Sequence, residues 1–199
     1  MKKNTEVKKL IISTTKELLR KNSNITIKDI AEACFINIAA VNYHFGSKDN
    51  LIAIVLKEII EELKDNIYIG LKSLNFEEGI EGSLEKMIQI VFKFTLENSG
   101  VIKYMFIHND NLDYSSNLLM DAFFTENEFT KMIINEINKA GKIEDATVSK
   151  AKYMLLFSCF SIPIFLQVTD FIENKKFFSS FSDPSFLQTY IREMLRIIN

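Results

Sequence analysis

Residues 26–51 read TIKDIAEACFINIAAVNYHFGSKDNL, and this stretch decides the fold. Thr26 is placed to cap a helix by accepting from the amides of the next turn, with Asp29 completing a short capping box. Ile25 and Ile30 flank that cap as a hydrophobic staple. The pattern repeats at Asn37, with Ile36 and Val41 as its staple pair, and Ser47 starts a third helix directly after Gly46. Residues 26–45 therefore hold two short helices joined by a tight turn around Cys34–Ile36. Each is about two turns long, too short to stand alone in water.

Outside this stretch the apolar spacing is helical almost everywhere. Val7, Leu10, Ile11, Thr14 and Leu18 form one stripe; Leu51, Val55, Ile59 and Leu63, widened by Ile52 and Leu56, form another. Leu84, Met87, Ile88, Val91, Phe92 and Thr95 make a third, and Leu187, Tyr190, Ile191, Met194, Leu195 and Ile198 a last, which follows the cap-and-proline start Asp183-Pro184. The stretches 115–140 and 147–173 also read as helix, the second apolar on nearly all sides. Six glycines and two prolines in 199 residues are too few for a sandwich, barrel or linker-rich array. An all-α chain is expected.

The formal net charge of −2 hides an asymmetry. Residues 1–50 carry nine Lys/Arg against five Asp/Glu, or +4; residues 51–199 carry fifteen against twenty-one, or −6. A basic head on an acidic body implies that the head meets an anion. Two short capped helices inside a basic segment are what a helix-turn-helix requires, with the second helix laid in the major groove.

The residues themselves are more specific. Ile30-Ala31-Glu32-Ala33, then Ile36-Asn37, then Val41-Asn42-Tyr43-His44-Phe45-Gly46-Ser47-Lys48 and Leu51 resemble the N-terminal domain of TetR-family transcriptional regulators. The resemblance covers roughly residues 5–56, and Phe35 departs from it, standing where the family usually has glycine. A side chain there resists a positive φ. The exposed front of the second helix, Asn37, Ile38, Ala39, Ala40 and Asn42, is expected to face base edges. It lacks Arg and Lys, so the commonest guanine contact is missing; Asn42 suits adenine, and Ile38 with Ala39 or Ala40 suits a thymine methyl. Thr26, Lys28, Ser47 and Lys48 are expected at phosphates, and the resemblance implies the same for Tyr43 and His44.

The resemblance divides the chain into a DNA-binding domain at 1–50 and an effector-binding and dimerisation domain at 51–199, linked by the helix 48–65. It implies a homodimer on a pseudo-palindromic double-stranded operator, and by family habit a repressor released by a small hydrophobic effector. Phe92, Met105, Phe106, Phe123, Phe124, Phe157 and Phe160 fall on segments that surround a pocket in the family, with His108 as a polar neighbour. On their own residue types they either line that pocket or fill a core.

Rival classes fare worse. An enzyme has only His44 and His108 to draw on, and His108-x-Asp110-x-x-Asp113 lacks helical ligand spacing and a fourth partner. No catalytic residue, cofactor or metal is expected. Cys34 and Cys159 show no paired framework, so reduced thiols and a cytoplasmic setting are expected, with no signal peptide at Met1–Lys9. The uncharged run Tyr153–Thr169 is at the short limit for a membrane span, and its Ser, Gln and Pro residues favour a buried helix. A helical small-molecule-binding or membrane-associated protein without DNA function is the alternative.

Overall fold

A computed structural model describes residues 2–72, 79–107, 112–168 and 183–198. The helices are α1 (Lys2–Lys21), α2 (Ile27–Ala33), α3 (Ile38–Phe45), α4 (Lys48–Lys72), α5 (Gly79–Glu97), α6 (Ser99–Ile107), α7 (Leu112–Phe123), α8 (Glu128–Gly141), α9 (Ala146–Val168) and α10 (Pro184–Ile198). No strand occurs among the described residues, and the fold is all-α as expected. The chain divides into two compact units. One comprises Met1–Glu62 with Glu97–Leu118, and the other Leu63–Leu96 with Leu119–Asn199.

In the first unit, α1 packs against α2 and α6, and α2 against α3. The stripe expected on α1 needs correcting. Its fully buried line is Ile11, Thr15 and Leu19, whereas Leu10 is largely exposed. Thr15 enters the core because its hydroxyl donates to the Ile11 carbonyl at 2.7 Å, which satisfies the polar atom inside its own helix and leaves the methyl to pack.

At the far end of α1 the Arg20 guanidinium spreads over three acceptors. It donates to Asn98 Oδ1 at 2.9 Å, Glu17 Oε1 at 2.7 Å and Glu62 Oε1 at 2.6 Å. Lys16 also pairs with Glu62. Burial pushes the Glu62 carboxyl up, but Lys16 and Arg20 together outweigh it and hold its pKa below the usual value. Gly100 stands where no side chain fits: a Cβ there would lie 2.3 Å from the Leu19 carbonyl oxygen and 2.8 Å from that of Arg20. Glycine is therefore what lets α6 press on the backbone of α1.

The core of the second unit gathers Ile67, Leu84, Ile88, Phe92, Ile133, Ile137, Leu156, Phe160, Ile191 and Met194. The helix expected through 115–140 is broken into α7 and α8. Asn127 makes the break: its side chain accepts from the Thr130 amide at 3.0 Å, capping α8, and donates to the Asp121 and Ala122 carbonyls at 3.1 and 3.2 Å. One amide thus serves the end of one helix and the start of the next.

Helix α9 buries Tyr153, Leu156, Phe160 and Pro163 and leaves Val148, Ala151, Met154 and Leu155 exposed. Pro163 sits inside it and has no N–H to give the carbonyl four residues back, that of Cys159. That carbonyl accepts from the Tyr190 hydroxyl of α10 at 2.7 Å instead. The acceptor released by proline ties the two helices together, and burial, followed by the neighbouring Cys159, pushes the Tyr190 pKa up to about 12. Helix α10 exposes Ser185, Gln188, Arg192, Glu193 and Arg196 and buries Ile191 and Met194, so it is amphipathic. Both cysteines are free. Among the described residues no helix is long and apolar enough to cross a membrane.

Candidate nucleic-acid interface

The first unit builds its exposed front from short elements stapled at every end. Thr26 caps α2 by accepting from the Asp29 amide at 3.1 Å, while the Asp29 carboxylate accepts from the Thr26 amide at 2.7 Å and hydroxyl at 2.8 Å. Those two donors hold the Asp29 pKa below its usual value. Helix α2 then closes in a Schellman motif. The Phe35 amide donates to the Glu32 carbonyl and the Ile36 amide to the Ala31 carbonyl, both at 3.0 Å. The motif needs a left-handed residue after the cap, and Phe35 supplies it at φ 55°. The glycine geometry is kept without the glycine, and the ring is 96% exposed.

Asn37 caps α3 by accepting from the Ala40 amide at 2.7 Å. At the other end the Gly46 amide donates to the Asn42 carbonyl at 2.8 Å, with Gly46 at φ 75°, which a residue with a Cβ resists. Asn50 Nδ2 donates to the Phe45 carbonyl at 3.2 Å, and the Asn50 amide donates to Ser47 Oγ at 3.1 Å. Asn50 was not expected to contribute; its signal in the sequence is only its spacing from Ser47.

These caps aim the side chains. Val41 and Phe45 are buried, so the opposite side of α3 faces solvent. Asn37, Ile38, Ala39 and Asn42 are exposed and Ala40 is half-buried. Tyr43 is 78% exposed, and its ring meets His44 edge-on at 5.2 Å. Thr26 and Lys28 are exposed; Ser47, Lys48 and His44 are half-buried. Lys28 lies 3.7 Å from Glu32. Thr26 and Ser47 both spend their hydroxyl oxygens on caps, and Thr26 spends its proton on Asp29 as well.

An open cleft of about 420 Å³ adds residues that the sequence did not single out. Asn4, Thr5 and Lys8 of α1 line it together with Tyr43 and His44 of α3. The Lys8 ammonium lies 5.5 Å from the centre of the Phe45 ring.

The aromatic residues of the second unit pack on one another. Phe92 meets Phe160 at 5.5 Å between ring centres, and Phe157 meets Phe123 at 5.8 Å and Phe124 at 4.4 Å. Met105 is buried in the first unit. His108 lies outside the described residues, as do Asn109, Asp110 and the side chains of Phe106 and Asp113. Among the described residues no group of three or more His, Cys, Asp or Glu is arranged to hold a metal.

A capped helix pair with an exposed second helix on a basic segment defines a helix-turn-helix head. Residues 11–55 match the family model described as bacterial regulatory proteins, tetR family. The fold is similar to that of a tetR-family transcriptional regulator from Streptomyces coelicolor, with TM-score 0.66, 13% identity, and 96% of this chain and 78% of that one covered. It is also similar to a transcriptional regulator from Rhodococcus sp. Rha1, with TM-score 0.69, 12% identity, and 96% and 95% of the two chains covered. No curated protein matches the chain well enough to count as a relative. Residues 11–55 are thus similar to the N-terminal domain of the tetR family, and the chain has the fold of TetR-family transcriptional regulators.

Proposed function

We propose that the protein is a ligand-responsive transcriptional repressor that binds a pseudo-palindromic operator as a homodimer. Residues 1–50 serve as the DNA-binding part and 51–199 as the effector and dimerisation part. The observation that carries this reading is the outward face of α3, where Asn37, Ile38, Ala39 and Asn42 are exposed on a helix fixed at both ends by caps. Rigid ends favour DNA binding because little disorder remains to be lost on docking. Asn42 pairs with adenine and Ile38 contacts a thymine methyl, which gives an A·T-leaning operator. Tyr43, His44, Lys48, Lys28, Thr26 and Ser47 hold phosphates through side chains or the amides beside them.

Support for the dimer is the exposed apolar face of α9, where Val148, Met154 and Leu155 are 42%, 51% and 47% exposed. A face of this kind is stabilised by pairing across a two-fold axis. Support for the effector is the set of ring contacts among Phe92, Phe160, Phe123, Phe124 and Phe157, which a flat apolar ligand would replace with contacts of its own. The effector acts by binding one spacing of the two heads better than the other, and only that difference shifts DNA affinity.

Footprinting on DNA flanking the protein's own gene, at two salt concentrations, tests the reading. A salt-sensitive palindromic footprint is expected; no footprint on any genomic DNA would overturn it. Asn42→Ala then tests direct readout: discrimination should relax at one base position, and equal weakening on all sequences would refute it.

A further inference from the structure

The cleft between α1 and α3 sets three side chains of α1, none of them given a role above, beside Tyr43 and His44. It draws Asn4, Thr5 and Lys8 from the first turns of α1 and Tyr43 and His44 from the last turn of α3. Every one of these side chains can donate a hydrogen bond: an amide, a hydroxyl, an ammonium, a phenol and an imidazole. No carboxylate lines it. Asn4, Thr5 and Lys8 recur at the three- and four-residue steps that put side chains on one helix face. The Phe45 ring beneath Lys8 attracts its ammonium to this side of α1.

A concave set of side chains that can all donate, with one fixed positive charge and no acid among them, suits an oxygen-rich anion. We propose that this cleft holds a DNA phosphodiester, so that α1 takes part in binding as a second jaw opposite Tyr43 and His44. The inference rests on the DNA-binding reading above and extends it to residues on a different helix. A phosphate held there carries no sequence information; it sets how α3 is seated in the groove.

The jaw makes Lys8 different from its neighbour. Lys9 is exposed on the same helix and carries the same charge, yet it does not line the cleft. Binding is measured by fluorescence anisotropy with the full-length chain. The probes are a duplex carrying the DNA upstream of its own gene and a random-sequence duplex of equal length, across a salt series.

Lys8→Met is expected to weaken both probes by the same factor. It should also flatten the plot of log affinity against log salt by about 0.9 for each head engaged, the loss of one phosphate contact apiece. Lys9→Met should leave the slope close to wild type, and Lys8→Arg should restore it. Thr5→Val should weaken binding without changing the slope, because it removes a donor and no charge. Thermal melting of each variant separates loss of contact from loss of fold, and Lys8→Arg must also bind if the fold is intact.

Equal slopes for Lys8→Met and Lys9→Met would overturn the jaw, since net charge alone would then explain the effect. Failure of Lys8→Arg to restore binding in a folded protein would overturn it as well. Wild-type protein that binds neither duplex would refute the DNA-binding reading itself, a different result from wild-type binding with no Lys8 effect.

Discussion

Replacing Phe35 with glycine should make the protein more stable. Phe35 holds φ 55° in the Schellman turn between α2 and α3. Left-handed backbone costs a residue with a Cβ about 1–2 kcal/mol, and glycine almost nothing. Against this, glycine gives the unfolded chain more freedom, worth about 0.4–1 kcal/mol. The usual third term, lost burial, is negligible because the ring is 96% exposed. The net gain for Phe35→Gly is about 0.5–1 kcal/mol. Phe35→Ala keeps the Cβ and its strain while removing the same exposed ring, so it should stay within about 0.5 kcal/mol of wild type. Urea unfolding followed by circular dichroism reads the difference. With a slope of about 2 kcal/mol/M, the midpoint of Phe35→Gly should rise by about 0.25–0.5 M with the slope unchanged. A glycine variant no more stable than the alanine variant would refute the reasoning, because backbone strain would then not be what Phe35 contributes.

Three further expectations follow from the packing. Gly100→Ala should destabilise the first unit by more than about 1 kcal/mol and lower its thermal midpoint, because the obstacle is backbone oxygen at 2.3 Å rather than a movable side chain; an unchanged midpoint would mean that α6 does not press on α1. Glu62 has its pKa held down in the folded state, so its stabilising effect is present above the unfolded value of 4.5 and lost as pH falls through the folded one. Glu62→Gln should therefore flatten the acid limb of a stability–pH curve below about pH 5, and a parallel curve would contradict the ion pairing with Lys16 and Arg20. Tyr190→Phe should cost about 1 kcal/mol in the wild-type background and much less beside Pro163→Ala, where an amide can reclaim the Cys159 carbonyl; additive losses in this double-mutant cycle would separate the two features.

What could be read from the sequence was local. The caps at Thr26, Asn37, Ser47 and Asp183 each involve residues within one turn, and each accepts a backbone amide in the structure. The place of the turn at Phe35 was legible for the same reason, but its conformation was not, since Phe35 takes the positive φ that its side chain was expected to resist. The register of α1 was not, because Thr14 and Thr15 are the same residue type, and only the packing shows that Thr15 is the one buried, with its hydroxyl bonded inside its own helix. Nor was the break before α8, since Asn127 acts on carbonyls that precede it in α7. The cleft was hidden for a plainer reason: its two sides are some 35 residues apart, and no spacing rule links Lys8 with His44.

The fastening of α6 to α1 bears on how the head comes to be made. Arg20 reaches Asn98, Gly100 lies against the Leu19 carbonyl, and residues 97–118 belong to the same compact unit as residues 1–62. During synthesis the head should therefore gain its full set of contacts only after its own helix-turn-helix has left the ribosome. The last of them come from a segment that follows the intervening α5, and closing that long loop is expected to be the slower step. A nascent chain arrested before residue 97 would present α1 with α2 but without α6. Shortening the gene to its DNA-binding motif should give a fragment that is soluble only with difficulty, however complete the motif looks on paper.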